Sequence, residues 1–228
     1  MFFSPYWLLF ALPGIFLALW AQSRVKGAYK KYSKVQTARG VSGAQVARTL
    51  LDSEGLFDVK IEESKGFLSD HYDPRSKVLR LSPDVYRKPS VTAAGIAAHE
   101  MGHAVQHSRG YIPLQLRSAI VPAAKFGSTL APWLVILGFF MRFTALAWVG
   151  VVLFGLAVIF TLVTLPVEFD ASKRAKKLLV SNGVLIGNEI EGANKVLDAA
   201  ALTYVAAAVA SIGQLLYYVF LMTGGRRR

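Results

Sequence analysis

Ala97-Ala98-His99-Glu100-Met101-Gly102-His103-Ala104-Val105-Gln106-His107 (residues 97–107) lies inside a stretch that reads as a helix. Its inner pattern is His-Glu-x-x-His. Imidazoles four residues apart fall on one helix face, offset by roughly 40° and about 6 Å along the axis. That spacing lets both bind a single Zn²⁺ ion. The carboxylate after the first imidazole is then placed to take a proton from an attacking water. The bland alternative is a chance pair of surface histidines. Only four His occur in 228 residues, however, and two of them take this spacing with Glu in the one useful slot.

Working outward, Ser90 can cap this helix, which runs from Val91 to about His107 and ends near Gly110. Its first half (Thr92-Ala93-Ala94-Gly95-Ile96-Ala97-Ala98) is small and apolar, as close packing around a site requires. Upstream, residues 57–62 alternate through Phe57, Val59 and Ile61, and residues 77–82 alternate again. Between them, Asp70-His71-Tyr72-Asp73-Pro74 reads as a strand ending in a turn. These segments predict a two- or three-stranded antiparallel sheet. Residues 43–54 carry Val46, Leu50 and Leu51 at helical spacing, with Gly55 as a stop. Residues 25–39, basic and interleaved with Tyr29 and Tyr32, read as a separate helix at headgroup level, broken at Gly40–Gly43. Residues 168–180 form a further helix stopped at Asn182-Gly183. Asn188 with Glu191 predicts a capping box for the last helix.

The chain is 54% hydrophobic and 18% charged, with positive mean hydropathy, too apolar for an ordinary soluble domain. Residues 3–21, 120–141, 144–166 and 199–222 are each long enough to cross roughly 30 Å of hydrocarbon. The first has no basic residue before it and no small-x-small cleavage pattern, so it reads as an uncleaved anchor. Residues 23–118 carry sixteen Lys and Arg, and the segment after the third span adds Lys173, Arg174, Lys176, Lys177 and Lys195. The turn between the second and third spans has only Arg142. This asymmetry predicts an external amino terminus and cytoplasmic charged segments. Arg226-Arg227-Arg228 is the exception, left outside by four crossings: either the fourth segment does not fully span or, the favoured reading, the larger internal charge outvotes the tail. The net charge of +12 suits anionic headgroups, and no nucleic-acid motif accompanies it. Zero Cys excludes disulfides and a cysteine zinc site.

A catalytic zinc site uses three protein ligands. Glu168 lies two spans after His103, which returns it to the same membrane side, and it follows Pro166 at the membrane surface. A carboxylate there needs a partner. Asp170 and His107 are the alternatives on geometry. His107 lies about 12 Å along the axis from His99, too far for one ion on a straight helix. It otherwise reads as a helix C-terminal His. His71 is either a turn histidine or a contact to substrate.

Three runs carry a resemblance: Asp70-His71-Tyr72-Asp73-Pro74, residues 97–107, and Val167-Glu168-Phe169-Asp170-Ala171-Ser172. The chain resembles the YugP-type neutral zinc metallopeptidases, a bacterial membrane family, over most of its length. The last run is also similar to the Glu-Phe-x-Ala-Asp motif of HtpX-type and CAAX-prenyl-protease-type membrane metallopeptidases. That likeness implies Glu168 as third zinc ligand beside His99 and His103. Ser172 stands where those relatives have Asp, whose task is to buttress a metal-bound His. Here the task falls to Ser172 or to Asp170.

The resemblance further implies a gluzincin-like arrangement of active-site helix, edge strand and glutamate helix. The expected molecule is an α-helical integral membrane protein with about four transmembrane helices and a small α+β metallopeptidase domain. Its parts are an anchor (1–22), a cytoplasmic α+β segment (23–118), a transmembrane hairpin (119–166), a glutamate helix (167–198) and a last span with basic tail (199–228). The expected activity is zinc-dependent hydrolysis of protein or peptide substrates, membrane-associated ones foremost, at the cytoplasmic face of the bacterial plasma membrane. Glu100 is the proton carrier, and His71, Tyr72 and Arg174 are candidates to steady the oxyanion. A substrate strand is expected to pair near Leu68–Tyr72. The rivals are a non-catalytic scaffold with a structural metal, which would not need Glu100, and a transporter. Spans almost free of ionisable groups apart from Lys125 weaken the second. Oligomeric state and substrate identity are not encoded legibly.

Overall fold

The computed structural model describes residues 5–224. Phe3 and Ser4 of the first expected span, and the Arg226-Arg227-Arg228 tail, lie outside the described residues. The order of elements is α1 (Pro5–Tyr32), α2 (Gly43–Ser53), β1 (Lys60–Glu63), β2 (His71–Asp73), β3 (Val78–Leu81), α3 (Pro83–Arg87), α4 (Val91–Ser108), α5 (Ile112–Phe140), α6 (Thr144–Ser181) and α7 (Asn188–Gly224). The chain divides into two compact units. One comprises Met1–Ala21, Gln115–Pro166 and Thr203–Arg228, the other Gln22–Leu114 and Val167–Leu202.

Among the described residues, the first unit is built from helix segments, with a turn at residues 141–143. Small residues let backbones approach. A Cβ on Gly14 would lie 2.6 Å from Ala210 Cα, one on Gly213 2.3 Å from the Phe10 carbonyl oxygen, and one on Gly127 2.4 Å from that of Leu153. Large apolar side chains such as Phe16, Trp20, Phe126, Trp133 and Val152 face outward. Small residues inside and large apolar ones outside is the pattern of helices whose solvent is lipid. Among the described residues, α1, α5, α6 and α7 are long and apolar enough to cross a membrane.

The second unit holds the sheet and α4. Ser42 and Gln45 form a reciprocal capping box that starts α2: the Gln45 N–H donates to Ser42 Oγ, and the Ser42 N–H donates to Gln45 Oε1. Leu50, Leu51, Leu79, Leu81, Val85, Met101, Leu179 and Leu185 fill the core. The sheet order is β1-β3-β2, with β1 parallel and β2 antiparallel to β3. It is therefore mixed, which corrects the expected antiparallel sheet. Composition explains the order. Val78, Leu79 and Leu81 are buried, so β3 takes the centre. Lys60-Ile61-Glu62-Glu63 and His71-Tyr72-Asp73 carry polar groups and take the edges. Strand β1 starts at Lys60 rather than Phe57, because Arg48 holds the carbonyls of Leu56 and Val59. Asp73 closes the β2–β3 turn by accepting from the Arg75 N–H and the Ser76 hydroxyl.

Three helix boundaries also differ from expectation. Helix α1 runs unbroken to Tyr32, since no breaker separates the anchor from the basic stretch. Helix α6 continues through Pro166, which removes one backbone donor but leaves the apolar helix on both sides intact. The expected capping box at Asn188 and Glu191 is absent. Glu191 pairs with Lys195, and Glu189 instead reaches back to accept from the Ile186 N–H at 3.0 Å. Glu189 has the three-residue offset that such a back-bond needs.

Candidate metal centre

Helix α4 starts where the Ser90 hydroxyl accepts from the Ala93 N–H. Its run of Ala93, Ala94, Ala97 and Ala98 is buried. The small side chains let α4 lie deep inside its unit, with His99 and His103 one turn apart on the same face. Their rings meet edge to face, centroids 4.9 Å apart.

Gly102 sets what faces them. A Cβ there would stand 2.6 Å from the carbonyl oxygen of Ala171 on α6. A side chain would push the helices apart, so only glycine allows this approach. Glu168, about one turn earlier on α6, is thereby brought to both imidazoles. Its Oε2 lies 3.1 Å from His99 Nε2 and 3.6 Å from His103 Nε2. The Glu168 side chain is 3% exposed and the two imidazoles 13% and 12%. A carboxylate buried this deeply requires positive or metal partners.

These three residues fit a zinc ion. One donor atom from each lies within 4.8 Å of the others. The two measured separations bracket the edge of about 3.4 Å expected for tetrahedral zinc with bonds near 2.1 Å. Two neutral imidazoles and one carboxylate are a donor set typical of catalytic zinc.

The nitrogens facing away from Glu168 are also engaged. His103 Nδ1 lies 3.0 Å from Gln106 Oε1. Gln106 is fully buried, and its amide nitrogen donates to the Val167 carbonyl and to Asp170 Oδ2, both at 2.8 Å. Two acceptors fix the amide orientation, so its oxygen must face His103. His103 Nδ1 then carries a proton, and Nε2 is the nitrogen that faces Glu168. His99 Nδ1 lies 3.1 Å from Ser172 Oγ. The task left open between Ser172 and Asp170 is thus divided: Ser172 touches His99, and Asp170 reaches His103 through Gln106. Burial alone would lower the His103 pKa, but the hydrogen bond to Glu168 and the charges of Glu100 and Glu168 raise it above the ordinary imidazole value.

Glu100 is half-buried beside His99. His71 lies outside the donor cluster, on the exposed first position of β2, with Nδ1 2.8 Å from the Ser69 carbonyl. Asp70 accepts from the N–H and hydroxyl of Ser82, and burial raises its pKa. Tyr72 OH lies 3.0 Å from His107 Nδ1. Burial first, then Asp58 and Asp73, push its phenol up to about 12, so it remains a hydroxyl. Arg174 is not in the cluster either. Its Nε donates to Asp170 Oδ2 at 2.5 Å, and its guanidinium lies over the Tyr111 ring. Sequence reasoning missed Gln106. The available signal was a polar residue on the buried side of α4, three positions after His103.

The family profile described as "Putative neutral zinc metallopeptidase" matches residues 7–223. The "Putative membrane protease YugP" of Bacillus subtilis (strain 168) is 49% identical over 210 residues, covering 92% of this chain and 93% of that protein. No solved structure matches. On that match across nearly its whole length, the chain belongs to the neutral zinc metallopeptidase family.

Proposed function

We propose that the protein is a membrane-bound zinc metalloendopeptidase that cleaves protein or peptide substrates, membrane-associated ones foremost. The observation that carries this reading is the convergence of His99, His103 and Glu168 beside Glu100. His99, His103 and Glu168 would hold a zinc ion, which would supply Lewis acidity toward the scissile carbonyl and the attacking water. Glu100 takes a proton from that water and delivers it to the leaving amine. Ser172 and Gln106 engage the Nδ1 atoms of the two imidazoles, so that both Nε2 atoms face Glu168. Strand β2 has β3 on one side only, so its other edge can accept an extended substrate by strand addition. His71 and Tyr72 on that strand are the nearest candidates to touch the substrate backbone. Arg174 acts as a positioning residue through Asp170 and Gln106. The excess of Lys and Arg in residues 23–118 supports a site on the cytoplasmic side of the bacterial plasma membrane.

Purified Glu100→Gln protein tests the proton-carrier role. It should bind zinc as the wild type does and cleave a casein-type substrate about 10²–10⁴-fold more slowly. Cleavage at the wild-type rate would remove Glu100 from the mechanism. Full zinc with no cleavage by the wild type under any condition would favour the structural-metal scaffold.

A further inference from the structure

A second concavity lies within the same unit and includes none of the three donor residues. It has a volume of about 180 Å³ and is lined by Glu54, Arg109, Asp170, Lys173, Arg174 and Lys177, with Val105 and Leu178 as its apolar wall. Four cations face two carboxylates. Both carboxylates are already engaged: Glu54 with Arg109 at 2.5 Å, and Asp170 with Arg174 at 2.5 Å. Among the described residues, no acid pairs with Lys173 or Lys177. The neighbouring Lys176, by contrast, is paired with Asp198. Arg174 spends only its Nε on Asp170, which leaves both terminal nitrogens as donors. The pocket therefore presents a surplus of two positive charges, an ammonium pair and part of a guanidinium fork to one small volume.

We propose that this pocket binds a phosphate group. A phosphate offers the two charges and several acceptor oxygens that a guanidinium edge and two ammonium groups complement. The space also admits the carbons attached to it. Lys173 and Lys177 follow Pro166 within about three helical turns. At the end of an apolar stretch, lysines of that reach meet lipid phosphates. A phosphodiester headgroup and a soluble phosphate share the required chemistry, and the experiment separates them. The site shares Asp170 and Arg174 with the support behind Gln106, but the inference does not depend on the peptidase reading, because the two lysines that carry it belong to neither the donor cluster nor that support.

The test uses the full-length protein in neutral detergent, titrated calorimetrically with inorganic phosphate. The wild type is compared with Lys173→Gln/Lys177→Gln, both positions being exposed on α6. Lys30→Gln/Lys31→Gln is the control for general positive charge, and helix content by circular dichroism verifies folding. A second arm measures retention of phosphatidylglycerol against phosphatidylcholine by native mass spectrometry. The pocket variant should bind phosphate, or retain phosphatidylglycerol, at least about tenfold more weakly, with the control near wild type. Phosphate binding in the first arm assigns a soluble ester. Selective phosphatidylglycerol retention alone assigns a headgroup. The proposal is overturned if the wild type shows neither, or if both double variants lose binding equally.

Discussion

At the scale of single residues, Gln106 decides how His103 can act. Its amide donates twice, to the Val167 carbonyl and to Asp170, so its oxygen is left to receive the His103 Nδ1 proton. Leucine there would keep the volume but remove every one of these bonds. Gln106→Leu should lower zinc affinity by about 10–100-fold, the usual effect of losing a partner behind a metal-bound His. Competition with a chelator of known affinity measures it, and an unchanged affinity would mean that the ring needs no such support. The sequence displayed His99, Glu100 and His103 openly, because a fixed spacing on one helix is a local property. Gln106 was not legible, because its value depends on Val167 and Asp170, some sixty residues away and brought near only by packing. Ser172 was visible as a departure from the Asp of related motifs. Only the 3.1 Å approach to His99 Nδ1 shows that a hydroxyl serves there.

At the scale of elements, the site depends on how closely α4 and α6 approach. Gly102 opposes the Ala171 carbonyl, and backbone cannot move aside as a flexible side chain would. Gly102→Ala gains about 1 kcal/mol of helix propensity and loses about 1–3 kcal/mol to overpacking. Stability should therefore fall by about 0–2 kcal/mol, whereas zinc affinity should fall sharply as Glu168 is displaced from the imidazoles. Thermal unfolding of the metal-free protein and zinc titration, run on the same variant, check the two halves. Wild-type zinc affinity in Gly102→Ala would show that the close approach is not what places Glu168. Helices α2 and α4 were readable in the sequence, since caps and apolar spacing are local. The sheet was readable only as strands. Its mixed order follows from burying β3, a competition among three strands that no single strand reveals. Pro166 suggested a break, and the apolar helix around it overrode that local signal.

At the scale of the whole molecule, four apolar helices and a charge asymmetry fix what a membrane would do to this chain. In the helical unit, large apolar side chains face outward and glycines face inward, the reverse of a water-soluble core. The proposed orientation is open to test because the chain has no Cys, so each introduced thiol is unique. Lys65→Cys should stay unlabelled by a membrane-impermeant maleimide in intact cells and react after permeabilisation. Phe143→Cys, between the second and third spans, should react in intact cells. Labelling of Lys65→Cys from outside would reverse the orientation. The central claim is that α4 and α6 together hold a zinc ion, and zinc content per chain tests it most directly. After dialysis against a weak chelator, the wild type should retain one zinc per chain, and Glu168→Ala should retain little. Full zinc in Glu168→Ala, or none in the wild type, would contradict the account.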